Sequence, residues 1–336
     1  VDIDFDGNVL EWDTYKSIIK SCYKFTYEEV YDILEDKVNF EKENLIEHLV
    51  NLKDVSFKLA KKRLKLPEIK YDEDSKSIKL TYSDYTHQMI EEVMILNNIL
   101  VAKTLSSRNI NYPSRNHPTP SIESKQSIVN LINYHNNINF KFGIDDLQKI
   151  VDCDNNNVRL LNLFCIQRIL TKAKYTFEDE GHWALNLNYY SHFTSPIRRM
   201  SDIISHRLIF GEKYNDKQMS ELLENINKNE KYYQKIDFLV DRFKLIRFLN
   251  RIGAEGKIYN SIIIDIRNPT ITVFIPEIFF IYDMHVADFS KEKLTFNEED
   301  KSFTGNMNIK IGDLIKLRLE KIINSTLELK LKKINN

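Results

Sequence analysis

Glycine and proline are scarce in this 336-residue chain, 8 and 7 residues respectively. That excludes collagen-like and Pro/Gly-rich low-complexity architectures. Cysteine is almost missing: Cys22, Cys153 and Cys165 show no C-x-x-C or Cys/His spacing. Neither a structural zinc site nor a disulfide framework is expected, and the cysteines fit a reducing, intracellular compartment, nuclear and cytoplasmic residence not being separable. No apolar run reaches the roughly 18 residues of a spanning helix, so no membrane partner is expected. The opening VDIDFDGNVL is neither a signal nor a transit peptide. It lacks a Met, and the chain is expected to come from the middle of a longer protein. Net charge is missing too: 48 Lys+Arg against 49 Asp+Glu leave −1, so any nucleic-acid binding must come from local clusters. The abundance of Lys, Ile and Asn is read as a base-composition bias of the genome.

What is present is ordinary for a globular protein with a real core: 42% hydrophobic and 29% charged residues. The length suggests two domains. Asp6-Gly7 between alternating apolar positions predicts a hairpin. Asp2, Asp4, Asp6, Gly7 and Asp13 also fit a calcium-loop pattern, but an EF-hand needs a preceding helix and one residue precedes Asp2. FTYEEVYDIL, from Phe25, predicts a helix with the Thr26/Glu29 capping box. Helices are expected at 43–65, 83–107, 122–136, 144–151, 156–171 and 214–252, with a strand–turn–strand over 67–84 and a Pro-punctuated loop at 111–121. After Gly253 the period changes to that of short strands, about five in roughly 80 residues, the signature of a closed OB-type barrel.

Three features could carry chemistry. In HFTSPIRRMSDIISHR, from His192, a helix is expected to start at Pro196, capped by Thr194 or Ser195. A helix N-terminus attracts anions, and arginine suits phosphate. Arg in a first turn opposes the helix dipole by a few tenths of a kcal/mol. Arg198, Asp202 and His206 share i, i+4 spacing, so an anion site and a solvated Arg198–Asp202 pair both stand. In MIEEVMILNNIL, from Met89, Glu91 and Asn98 share one face of an apolar helix. A buried carboxylate there would pair with a cation or with a ribose hydroxyl. Finally, 17 Tyr and 19 Phe suit base stacking, although most must be core.

YYSHFTSPIRRMSDIISHRLI closely resembles the signature of the RNase II family, the RNB-domain 3′→5′ exoribonucleases. YKSIIKSCYKFTYEEV, MIEEVMILNNILVA, RNHPTPS and GHWALNLNYYSHF resemble other family segments, in family order. SIIIDIRNPTITVFIPEI and PEIKYDED are similar to the exosome-nuclease branch. The resemblance implies an α+β fold. Residues 1–252 would be the C-terminal part of an RNB domain, helices packed on a mixed sheet, and 253–336 an all-β S1/OB-type barrel.

The resemblance also implies roles. Arg198 matches the arginine that contacts the scissile phosphate; Tyr27 and Glu91 match residues that contact terminal nucleotides and help read the ribose 2′-OH. Thr194, Ser195 and Arg199 of the signature, and Arg115 and His117 of the R-x-H-P loop, are expected to bind RNA. The partner would be single-stranded RNA, not DNA, with docking on an exosome core implied by the branch details alone. Three departures matter. Met200 replaces the family's tyrosine, an expected packing change. A short family stretch is missing between Lys65 and Pro67, beside the residue that packs on the 3′-terminal base. Last, the family holds Mg²⁺ through D-x-x-x-x-x-D-x-D-D, which this chain lacks. Magnesium is therefore expected for the complete enzyme, with no ligands in this chain, which would be the C-terminal part of a larger protein. The function implied is part of a processive, hydrolytic exoribonuclease releasing nucleoside 5′-monophosphates. The alternative is a catalytically inactive RNB-fold RNA-binding or scaffold protein. The basic strands near the C-terminus would grip RNA or simply be solvated.

Overall fold

A computed structural model describes the chain except residues 62–64, 124, 127–128, 130–131, 133–143, 153–154, 171, 291–293 and 335–336. It forms two compact units, residues 1–64, 83–119 and 171–230, and residues 65–82, 120–170 and 231–336. The helix expected over 122–136 lies largely outside the described residues, as does Cys153. Cys22 is exposed and Cys165 buried, both free thiols, and burial pushes the Cys165 thiol up to about 12. Among the described residues no helix is long and apolar enough to cross a membrane.

The first unit opens on the expected hairpin, β1 (Asp2–Ile3) against β2 (Val9–Glu11). Asp4 Oδ1 accepts from the backbone N–H groups of Asp6 and Asn8, so Asp4 shapes a turn. Gly7 sits at φ +80°, where a Cβ would come 2.9 Å from Lys58 Cβ. Helix α1 (Tyr27–Leu34) carries the capping box in full, Glu29 N–H donating to Thr26 Oγ1 and Thr26 N–H to Glu29 Oε2. It packs on α2 (Glu43–Ala60) and α3 (Tyr85–Ser107). Leu59, Leu96 and Leu100 form a small core with Trp12, whose indole N–H donates to Thr104 Oγ1. A second core joins Val101, Leu105, Tyr112, Tyr175, Ile204, Leu208 and Leu223.

The expected loop at 111–121 contains strand β5 (Ser114–Asn116), paired with β6 (Lys174–Thr176). Three residues of ladder are too few for periodicity to register. The second unit's expected strand–turn–strand is β3 (Glu68–Asp72) against β4 (Ser77–Thr81). The mixed sheet expected for residues 1–252 is absent among the described residues. Its strands, two to five residues long, form only two-stranded antiparallel ladders, with Ser114 of β5 also bridging Ser191.

The second unit also holds α4 (Ile144–Val151) and α5 (Asn156–Ile169). Helix α6 (Met200–Ile209) belongs to the first unit, and α7 (Asp216–Arg251) runs from the first unit's residues into the second's. Beyond it come β7 (Ile258–Arg267), β8 (Thr270–Ile275), β9 (Phe280–His285), β10 (Thr295–Asn297), β11 (Ser302–Thr304), β12 (Leu314–Ile323) and β13 (Glu328–Lys333). The main sheet runs β13-β12-β7-β8-β9, all antiparallel, with β10–β11 a separate hairpin. The expected closed barrel is a curled sheet among the described residues. No ladder joins its edges; instead the Tyr282 hydroxyl on β9 reaches Leu331 O on β13 at 3.3 Å. Its core is mainly aliphatic: Ile263, Ile266, Ile271, Val273, Ile275, Leu317 and Leu319 are all but fully buried, with the Tyr259 and Phe303 rings among them.

Candidate functional site

The helix of the HFTSPIRR segment begins four residues later than expected. Pro196–Arg198 form a turn, Arg199 is the N-cap in extended conformation, and α6 starts at Met200. The reason is Asp202. Its carboxylate is fully buried and accepts from Ser195 N–H at 2.7 Å and from Ser201 Oγ at 3.0 Å, which draws the loop across the helix's first turn. Ser195 O in turn accepts from the N–H groups of Arg198 and Arg199. Asp202 is thus not the solvated partner of Arg198. One turn on, the His206 ring stacks on Phe193 at 3.8 Å, and His206 Nε2 lies 2.9 Å from Phe193 O. The i, i+4 pair Asp202/His206 therefore serves the loop from the helix side.

Two further elements pin the same loop. Asn98, buried in α3, accepts from Phe193 N–H at 2.9 Å and donates to Tyr190 OH. Ser191 Oγ donates to Pro113 O, and Arg115 N–H to Tyr190 O. Buried polar groups bonded this completely fix one geometry. Thr194 Oγ1 stands apart: it is buried with no hydrogen-bond partner, and an unmet hydroxyl costs about 1–3 kcal/mol unless something fills it.

Arg198 emerges exposed from this anchored turn, with Arg199 half-buried beside it. Among the described residues neither has an ion-pair partner. Their charge is felt nearby: burial, then Arg199, Arg115, His182 and Arg198, push His192 down to about 2. Neutral His192 sits with Nδ1 2.5 Å from the Tyr175 hydroxyl, whose own ionisation burial holds upward. Burial likewise lowers His182 to about 4, helped by His117. With Asp202 committed to Ser195 and Ser201, the surface around 198–199 is an uncompensated positive locus suited to phosphate.

Other predicted residues sit as follows. Arg115 is mostly buried, donating to Glu230 at 2.6 Å with its guanidinium 4.5 Å from the Tyr175 ring centre. His117 is buried and stacks on His182 at 5.0 Å. Ser195 is buried at the loop's anchor. Met200, expected to repack, is 54% exposed. On α3 it is Glu92, not Glu91, that is buried; Glu91 is exposed, so the expected buried carboxylate shared with Asn98 is not found. Tyr27 is 40% exposed and stacks on the His87 ring at 3.7 Å and 17°, with Glu91 one helical turn beyond His87. Sequence reasoning missed His87, His192 and Tyr175; the D-x-x-x-H spacing of Asp202 and His206 was visible, its loop-holding use was not. Among the described residues no cluster of three or more His, Cys, Asp or Glu side chains could hold a metal. The described residues thus do not fit a magnesium site.

A family model, the RNB domain, matches residues 1–215. The chain belongs to the RNB domain family. It is 32% identical over 298 residues to Ribonuclease R of Ureaplasma parvum serovar 3, covering 75% of this chain and 41% of that protein. It is 29% identical over 301 residues to the probable exosome complex exonuclease RRP44 of Caenorhabditis elegans, covering 78% and 30%. The Mycoplasma genitalium RNase R structure, in complex with ribose methylated single-stranded RNA, shares the fold with a TM-score of 0.73 at 23% identity, over 92% of this chain and 53% of that one. The chain spans about two-fifths of the length of the bacterial relatives it matches.

Proposed function

We propose that this RNB chain is part of a 3′→5′ exoribonuclease and holds the 3′ end of single-stranded RNA. The observation that carries this is the anchored turn presenting Arg198 and Arg199 without carboxylate partners. Arg198 would grip the scissile phosphate bidentately and stabilise charge as it develops there. Arg199 adds field to the same spot. Ser195 holds the turn, and Tyr27 and Glu91 meet the terminal ribose. Arg115 lies over the Tyr175 ring and His117 stacks on His182, and both would shape the floor of the site. The family's activity further suggests processive hydrolysis to nucleoside 5′-monophosphates, with magnesium supplied by residues other than these. The 253–336 segment, with Arg318 opposite Lys332 and Lys321 opposite Lys330 on β12 and β13, would act as an S1-like grip on incoming strand, its cations offset only in part by Glu320, 3.9 Å from Lys332. Docking to an exosome core is suggested by the RRP44 relative.

The test is a labelled single-stranded RNA offered to a longer protein that includes the family's upstream aspartates and to the same protein with Arg198→Ala, followed by cleavage and by binding. We expect Arg198→Ala to lose about 10²–10³-fold in cleavage, the size of a lost transition-state donor, with its thermal midpoint unchanged. RNA bound but cut by neither protein would favour the scaffold alternative.

A further inference from the structure

We infer that His87 is a positioning residue for sugar selection: it sets the Tyr27 ring against the terminal ribose. The inference rests on the proposed role of Tyr27. Tyr27 is the first residue of α1, and its ring lies on that of His87, from α3, at 3.7 Å and 17°. Both side chains are substantially exposed, where a tyrosine would otherwise sample several rotamers. His87 is itself held. Asp84, the N-cap of α3, accepts from the Thr86 and His87 N–H groups, and its Oδ1 lies 3.2 Å from His87 Nδ1. The Thr86 hydroxyl, then His87, keep the Asp84 carboxyl low, at about 2. The cap of one helix thus orients an imidazole, and the imidazole orients the aromatic ring on the other.

Glu91 follows His87 by one turn, so the same face of α3 presents the ring support and then a carboxylate. A 2′-OH is both donor and acceptor, and its recognition depends on partners fixed in place. His87 supplies that fixity through its flat ring. The requirement is aromatic shape, and a phenyl ring should meet it.

The test measures equilibrium binding of a 5′-labelled RNA of about 12 nucleotides and of its counterpart with 2′-deoxy sugars at the 3′ end. Wild type, Tyr27→Ala, His87→Ala and His87→Phe are compared, with circular dichroism to verify folding. His87→Ala is expected to lose about fivefold of the RNA preference, the size of one aromatic stack. His87→Phe is expected to keep it, and Tyr27→Ala to lose at least as much as His87→Ala. Wild-type preference in His87→Ala alongside loss in Tyr27→Ala overturns the inference. Loss in His87→Phe as large as in His87→Ala overturns it also, because stacking would not be the means. Wild-type preference in Tyr27→Ala overturns the ribose role itself, and is told apart because His87 is intact in that variant.

Discussion

Around α6 the first unit buries Asn98, Asn116, Ser191, Ser195, Ser201, Asp202 and Ser205, while the sheet of the second unit closes over Ile263, Ile266, Ile271, Val273 and Ile275. The two interiors answer different physical demands. An aliphatic core tolerates many arrangements of similar volume, and it supplies stability in proportion to area. A hydrogen-bonded polar interior supplies little net stability but admits one geometry, because any other leaves buried groups unmet. Beside its apolar cores the first unit has a polar interior that holds a nine-residue turn, 191–199, in place; the interior of the second unit's sheet is mainly apolar.

The comparison is tested hardest by one substitution in each interior. Ile271→Ala should cost about 2–5 kcal/mol through the cavity it leaves, read as a lower denaturation midpoint, with RNA affinity at low temperature unchanged. Asp202→Ala should cost about 1–3 kcal/mol by stranding the buried Ser195 N–H, while Ser201 Oγ keeps the Tyr175 hydroxyl. It should also weaken RNA binding, since Arg198 and Arg199 ride on that turn. Equal losses of RNA affinity in the two variants at matched stability would erase the distinction.

Acid should separate the units next. His182 is held down to about 4 and His192 to about 2, against an ordinary value near 6.5. In the unfolded chain both protonate as pH falls through about 6.5; in the fold they resist. The unfolded state then binds more protons, so stability falls with pH, from about 6.5 down to about 4 for His182 and further for His192. Near pH 5 the two together should weigh on the order of 2–4 kcal/mol, all in the first unit. A stability–pH profile in which His192→Phe flattens the acid limb would agree. An unchanged limb in that variant would place the acid sensitivity elsewhere.

What could be seen from the sequence follows the same division. The capping box at Thr26, the Asp6-Gly7 hairpin, the long α3 and the β-rich end were legible because each is local or strongly periodic. The two arginines were singled out by the HFTSPIRR segment and by the resemblance. The start of α6 was not, because a bond from Ser195 N–H to the buried Asp202, seven residues on, overrides the proline-and-serine start signal. Glu91 and Glu92 could not be told apart on a helix that is apolar nearly all round, where a shift of one position changes the face. The sheet's unjoined edge, bridged by Tyr282, depends on curl that no strand pattern records.

The smallest effect is the most local. Thr26 caps α1 immediately before Tyr27, and the cap is reciprocal with Glu29. Thr26→Ala should cost about 1 kcal/mol, less than either interior substitution. Yet the first turn it frays is the one that carries Tyr27, so preference for a ribose 3′ end should decline while affinity for the rest of the strand holds. Thr26→Ser, which retains the hydroxyl, should restore both. If Thr26→Ala lowers the midpoint and leaves sugar preference untouched, then the His87 ring alone is enough to place Tyr27, and the orienting information flows entirely from α3.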